Sequence, residues 1–218
     1  MNPEALAAFG IAAMFAVGDW LSRARDTSQV IWQRVEYVCK PATLTLLVVA
    51  AALLDPVHGA GGRRAWFVAA LAFSLAGDVL LMLPREQFVG GLAAFLVGHL
   101  CYIAGMWTHG PALGWFAVAL VVVGATIAAL GRRILPAART HDRALVAPVG
   151  AYMAVIGVMV ATAVATGNPV AGAGAVLFAA SDTMIAWDRF VGPFDAASVL
   201  IMVTYHLGQA GLVLSLLR

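Results

Sequence analysis

Eight runs of apolar residues, each ended by charged residues, proline or glycine, constrain this chain more than any other feature of its sequence. They cover residues 3–21, 40–55, 65–83, 88–107, 112–131, 144–166, 171–187 and 197–217. Since about 20 apolar residues cross the hydrocarbon core of a bilayer as a helix, each run is a candidate membrane span. Eight spans use most of the 218 residues, so no appended soluble domain is expected.

The composition also indicates that lipid is the solvent. Apolar residues make up 62% of the chain and charged residues 11%, whereas soluble proteins average about 45–50% and about 25%. We therefore predict an all-α, polytopic membrane protein in which residues 1–218 form one integral domain, an eight-helix transmembrane bundle. Because the first, second and seventh runs are short or interrupted, a seven-span arrangement stays open.

The sequence argues against several kinds of site. The net charge of +2 and the lack of a basic run interleaved with aromatics argue against nucleic-acid binding. Cys39 and Cys101 lie in apolar stretches without metal-ligand spacing, so we expect packing cysteines rather than a disulfide or a zinc site. The first run has no basic segment before it and no cleavage signal after it, so we interpret it as a helix.

The connections between the runs differ in charge. Odd-numbered connections hold ten of the 13 basic residues, namely Arg23, Arg25, Arg34, Lys40, Arg85, Arg132, Arg133, Arg139, Arg143 and Arg189. The even-numbered connections and the two ends hold Arg63, Arg64 and Arg218. Because basic residues accumulate on the cytoplasmic side, we predict both termini outside. The connection 22–39 is long enough to lie along the membrane interface.

Two acidic residues lie inside the apolar runs. Asp78 (LAGDVLLML) and Asp182 (FAASDTMIAW) each precede the C-terminal end of a span by about five residues, which places them at a similar depth. A charge at mid-membrane costs at least about 2.5–3.5 kcal/mol, so such acids usually mark a functional cavity. The alternative for each is an acid that only hydrogen bonds to a neighbouring helix or to water.

Further polar residues are candidates to support a site. Lys40 is the cation nearest the two acids in depth, although a lysine that extends to the interface is an equally good explanation. Asp19, near the end of the first span, is a weaker candidate. The residues near the middle of their spans are His99, Tyr102, Tyr205, His206 and Gln209. For these, hydrogen bonds that only bridge helices are the alternative.

A weak internal symmetry groups the acids with two histidines. Asp78 precedes His99 by 21 positions, and Asp182 precedes His206 by 24. This pattern suggests two four-helix halves which, because four is even, would be parallel repeats with the site between them. The flanking residues match poorly, so a bundle without repeats stays open.

Two acids that share a low-dielectric cavity rarely ionise together, because desolvation and mutual repulsion oppose the second charge. We therefore expect one of Asp78 and Asp182 to carry a proton at neutral pH. Such a pair can protonate a substrate atom while the second acid activates water or stabilises positive charge. The chain lacks GxSxG and HExxH motifs, and Ser181 is expected to bond to Asp182 or to backbone rather than attack an ester.

Five short motifs occur in order along the chain. They are KP at Lys40, GDxxL from Gly77, GHxxY from Gly98, FxxSD ending at Asp182, and YxxxQ from Tyr205 to Gln209. Together they resemble the lysoplasmalogenases, also called YhhN-like proteins, over most of the chain except residues 108–143. The resemblance implies hydrolysis of the vinyl ether bond of lysoplasmalogens to a fatty aldehyde and a glycerophospho-alcohol, without a metal or organic cofactor.

The chemistry of that reaction agrees with the acid pair. An enol ether opens once its outer vinyl carbon is protonated, and water then captures the oxocarbenium ion. By this resemblance one of Asp78 and Asp182 is the general acid and the other stabilises the cation, with the assignment open. Lys40 would keep one carboxylate ionised or meet the phosphate, and His99, Tyr205 and Gln209 would position water and the ether oxygen. The implied partners are a lysophospholipid substrate and membrane lipid.

Two other classes of protein fit some of the same residues. A proton-coupled carrier would use Asp78, Asp182 and His99 as a relay that opens alternately to the two sides. A scaffold protein would use its polar residues only to fix helix packing.

Overall fold

The computed structural model describes residues 1–25, 30–54, 61–83 and 87–217. In these ranges the chain forms helices and no β-strand: α1 (Pro3–Arg23), α2 (Val30–Leu53), α3 (Gly61–Met82), α4 (Phe88–Trp107), α5 (Leu113–His141), α6 (Val146–Ala165), α7 (Pro169–Ala186) and α8 (Ala197–Leu214). A π-helical turn, Trp187–Val191, continues α7, and single 3-10 turns, Arg143–Leu145 and Ser215–Leu217, adjoin α6 and α8. Eight helices are long and apolar enough to cross a membrane. The all-α, eight-span prediction is confirmed. Arg85 and Arg218 lie outside the described residues.

Two helices are longer than the apolar runs that predicted them. α2 begins at Val30, so the prediction of a separate interfacial segment over 22–39 is wrong for residues 30–39. α5 continues to His141, ten residues past its apolar run. Hydropathy marks only the stretch of helix inside hydrocarbon, and a helix continues beyond it where polar side chains find partners. Glu36 in the extension of α2, for example, lies 2.7 Å from Arg23.

Asparagine side chains fasten two helix pairs at the same end of the bundle. The Asn2 carboxamide oxygen accepts a hydrogen bond from the Ala5 amide, and its amide donates to the Leu53 carbonyl at the end of α2. Asn168 caps α7 in the same way and donates to the Ser215 carbonyl just after α8. Each asparagine therefore satisfies free backbone groups on two antiparallel neighbours.

The helices pack as four antiparallel hairpins, in the pairs α1–α2, α3–α4, α5–α6 and α7–α8. α2 also packs on α3, and α6 packs on α7, which groups α1–α4 and α5–α8 into two four-helix halves. The halves meet where α4 packs on α6 and where α8 packs on α1 and α2. This order agrees with the two parallel halves that the sequence suggests.

The two halves differ at one contact. α1 packs against α8 of the other half, but the corresponding helix α5 has no extensive contact with α4. α5 is the least buried span, and large apolar residues such as Trp115 and Val121 lie on its outer face. The packing between α4 and α5 is therefore sparse, although the Trp107 and Phe116 rings meet across it with their centres 5.6 Å apart.

Glycines let α7 and α8 approach until their backbones touch. A Cβ added at Gly208 would lie 2.8 Å from the Phe178 amide nitrogen and 2.9 Å from the Gly174 carbonyl oxygen. A Cβ at Gly174 would meet the backbone of α8 at 2.8 Å. Small residues drive such close packing in membranes because they allow many dispersion contacts between helices. The contact fixes Phe178 of α7 against Tyr205 of α8, with ring centres 5.3 Å apart.

We expect Gly208→Ala to destabilise the protein by about 1–3 kcal/mol, because backbone atoms rather than movable side chains oppose the new methyl group. Thermal unfolding in detergent measures the change. Gly124→Ala is the matched control, since nothing lies within 4 Å of a Cβ at that helical glycine. Equal unfolding temperatures for the two variants would contradict this account of the α7–α8 contact.

Candidate active site

Asp78 is buried between the two halves and paired with a cation. It lies on α3, four residues before the helix ends. Its Oδ1 is 3.0 Å from Lys40 Nζ on α2. Its Oδ2 accepts a hydrogen bond of 2.8 Å from the Tyr205 hydroxyl on α8. An ionised carboxylate at this position is therefore neutralised by a lysine that is itself almost buried.

Asp182 has neutral partners. It lies on α7, four residues before the α-helical part ends. The Tyr152 hydroxyl on α6 donates to its Oδ2 at 2.5 Å, and Nε2 of His99 on α4 lies 3.8 Å from the same oxygen. Among the described residues no Lys or Arg nitrogen lies within 4 Å of Asp182, and no group hydrogen bonds to its Oδ1. The Asp182 side chain is 10% exposed, against 2% for Asp78.

The partners of the two acids correspond to one another. Each acid receives one side chain from the second helix of its own half, Lys40 for Asp78 and Tyr152 for Asp182. Each also faces one side chain from the fourth helix of the other half, Tyr205 and His99 respectively. The site is thus built with approximate two-fold symmetry but with a positive charge on only one side.

Aromatic rings connect the two acids. The Tyr205 ring, whose hydroxyl holds Asp78, contacts Phe178, and Phe178 contacts the His99 ring at 4.8 Å between centres. His99 in turn reaches Asp182. Both acids therefore belong to one buried polar centre that is packed with aromatic side chains.

An apolar cavity adjoins Asp182 and not Asp78. It lies between α4, α5, α6 and α7. Its polar lining residues are Tyr152, Asp182 and Thr183. Its apolar lining residues are Leu81, Phe88, Leu92, Phe95, Ile127, Ile134, Val149, Met153, Ile156, Ile185, Ala186 and Phe190. Such a cavity suits a hydrocarbon chain whose reactive end meets a single carboxyl group.

The other supporting candidates do not line this cavity. The Tyr102 hydroxyl donates to Gln209 Oε1 at 2.6 Å, so this pair bridges α4 and α8. The Ser181 hydroxyl donates to the Ile201 carbonyl, which is the backbone contact that the sequence left as one of two options. In this structure all three side chains are buried and hold helices together.

The remaining polar residues join α1 to the bundle. His206 Nδ1 accepts a hydrogen bond from the Trp20 indole at 3.0 Å. Asp19 is fully buried and pairs with Arg23, which also contacts Glu36 and the Ser198 hydroxyl of α8. These contacts lie on the side of the bundle that carries the Lys40–Asp78 pair.

Tyr152 is the site residue that the sequence analysis missed. It lies in an apolar run and belongs to none of the five motifs. A tyrosine hydroxyl in the middle of a membrane span needs a hydrogen-bond acceptor, and this requirement could have identified it. Among the described residues no group of three or more His, Cys, Asp or Glu is placed to hold a metal ion.

The fold and site define a polytopic membrane protein with two buried acids, one of which lines an apolar cavity. The chain belongs to the YhhN family, whose model matches residues 35–216. The family resemblance found in the sequence motifs is thereby confirmed.

Several relatives carry the name lysoplasmalogenase. That of Mycobacterium bovis is 36% identical over 77% of this chain. Lysoplasmalogenase TMEM86B of Homo sapiens is 30% identical over 87% of this chain and 78% of its own length. The Sus scrofa protein of that name is 32% identical over 94% and 89%. The match spans 65% of the length of the mycobacterial relatives. No solved structure matches the chain.

We expect Lys40→Met to destabilise the protein by about 3–5 kcal/mol, because it leaves the buried Asp78 carboxylate without its counter-ion. The double variant Lys40→Met with Asp78→Asn should recover most of this loss, since no buried charge is then left alone. Thermal unfolding of the single and double variants in detergent gives the coupling between the two positions. Additive losses would show that the ion pair is not formed.

Proposed function

We propose that this protein hydrolyses the vinyl ether bond of lysoplasmalogens, which releases a fatty aldehyde and a glycerophospho-alcohol. The observation that carries the proposal is the unequal pair of buried acids, of which Asp182 lines the apolar cavity described above and Asp78 does not. The names of the relatives support the substrate class. The location in a bacterial inner membrane and the orientation of the termini stay predictions.

We assign the proton donor to Asp182. A carboxyl group with neutral partners in an apolar site favours its protonated form, whereas Asp78 faces an ammonium group that favours its anion. Tyr152 holds Oδ2 of Asp182, so the proton resides on Oδ1, the oxygen without a hydrogen-bond partner. From there it transfers to the outer vinyl carbon of a lipid whose chain lies in the cavity.

Protonation leaves an oxocarbenium ion on the carbon next to the ether oxygen. The carboxylate of Asp78, which is paired with Lys40 in the same buried polar centre, stabilises this cation. The Asp182 carboxylate then takes a proton from the attacking water, which returns the acid to its starting form. The resulting hemiacetal breaks its bond to the glycerol oxygen and yields aldehyde and alcohol. One water is consumed, and no cofactor enters the scheme.

His99 and Tyr152 have supporting roles in this scheme. Tyr152 orients the Asp182 carboxyl group by its hydrogen bond. His99 Nε2 lies 3.8 Å from that carboxyl group, near enough to guide the attacking water toward it. Tyr205 and Lys40 keep Asp78 in place and ionised.

We expect Asp182→Asn to lower aldehyde release by about 10²–10⁴-fold, because the amide cannot donate the proton to carbon. Asp78→Asn should also abolish most turnover. The assay incubates detergent-purified protein with a lysoplasmenyl lipid, and in D₂O the aldehyde should carry one deuterium at its second carbon. Asp142→Asn is the matched control, since Asp142 is exposed and lies outside the cavity.

Three results would contradict the proposal. Near-normal aldehyde release by both Asp78→Asn and Asp182→Asn would show that the acids do no chemistry. Fatty acid from the ester analogue without aldehyde from the vinyl ether would indicate an esterase. Proteoliposome flux that depends on Asp78, without aldehyde release, would indicate the proton-coupled carrier.

A further inference from the structure

An arginine that the proposed mechanism does not use lies at the rim of the apolar cavity, near the membrane surface. Arg189 lies in the π-helical turn Trp187–Val191 that continues α7. Its guanidinium carbon is 3.9 Å from the centre of the Phe88 ring and 6.0 Å from that of Phe190. Both rings line the cavity, and Arg189 itself is exposed. The cation therefore stands at the rim of the cavity.

The spacing between Arg189 and Asp182 matches the polar part of a lysophospholipid. The two residues are seven positions apart along α7 and the π-helical turn that continues it, which corresponds to a rise of roughly 10 Å. In the lipid a single glycerol unit separates the vinyl ether from the phosphate, a span on the order of 8 Å for extended bonds of about 1.5 Å. The flexible arginine side chain can make up the difference between this helical rise and the span of the lipid.

The order of residues along the cavity agrees with a lysolipid whose phosphate lies near Arg189 and whose vinyl ether lies near Asp182. Phe88 opens α4 and Phe190 lies in the turn after α7, so these rings mark the end near the membrane surface. Asp182 lies two helical turns deeper along α7. Ile156, one turn beyond Tyr152 along α6, lines the inner part. A lysolipid enters this geometry with its headgroup at the rim, its vinyl ether at Asp182 and its chain inside.

We propose that Arg189 binds the phosphate of the lysolipid and so sets the position of the vinyl ether relative to Asp182. This inference rests on the proposed function and adds a specificity-determining residue to it. A guanidinium group can stack one face on Phe88 while its N–H edge donates to phosphate oxygens. Lys40, the cation that the sequence offered for this role, is buried beside Asp78, whereas Arg189 is exposed. π-helical turns are rare and occur frequently at functional sites.

The test compares two substrates that differ only in the phosphate. Arg189→Gln should raise the KM for lysoplasmenylethanolamine by about tenfold or more, the scale of one charge-assisted hydrogen bond. The KM for the corresponding 1-alkenylglycerol, which has no phosphate, should not change. Arg189→Lys should recover part of the loss, and Arg132→Gln, an exposed arginine outside the cavity, is the matched control.

An unchanged KM in Arg189→Gln, or an equal rise for both substrates, would overturn the role of Arg189. Failure of the proposed function has a different signature, since the wild-type protein would then release aldehyde from neither lipid. In that case binding of the saturated alkyl ether lysophospholipid, which cannot be hydrolysed by this route, still decides the question. Arg189→Gln should weaken that binding by about tenfold, and equal binding by both proteins would overturn the inference.

Discussion

The burial of two carboxyl groups between membrane-spanning helices is the constraint on which the rest of the structure depends. Each carboxyl group needs partners that no single helix supplies. Asp78 contacts side chains from α2 and α8, and Asp182 contacts side chains from α4 and α6. Six of the eight helices are tied to the site in this way. The close backbone contact of α7 with α8, through Gly174 and Gly208, brings Phe178 and Tyr205 into the space between the acids.

The two sides of the site share a plan but differ in electrostatics. The α1–α4 half supplies Lys40 together with the Asp19–Arg23 pair, so charges there are compensated within the protein. The α5–α8 half supplies a phenol that hydrogen bonds to Asp182, and it faces an imidazole whose Nε2 lies 3.8 Å from that acid. Under the proposed function this difference gives the two acids different roles. Asp78 stays ionised, and Asp182 exchanges its proton with substrate and water.

The sequence predicts the number of spans and the two central acids because both follow from simple energies. Apolar length sets the spans, and the cost of a charge in hydrocarbon singles out Asp78 and Asp182. Helix length beyond the hydrocarbon, as in α2 and α5, depends on tertiary contacts such as Glu36 with Arg23 and is not visible in hydropathy. The contact of Tyr152 with Asp182 also depends on tertiary packing and is not visible in hydropathy. So does the position of the cavity beside Asp182 rather than Asp78. Residues 108–143 match no motif. They include the whole of α5, whose cavity residues Ile127 and Ile134 need only to be apolar.

The sparse packing between α4 and α5 also bears on how reaction products separate. A lysolipid is amphiphilic, but cleavage at the proposed bond gives one apolar fragment and one charged, hydrophilic fragment. The aldehyde can diffuse sideways between α4 and α5 into the surrounding acyl chains. The phosphoalcohol dissolves at the membrane surface beside Arg189. The fragments thus leave in divergent directions and into different phases, so neither has to pass the other on its way out.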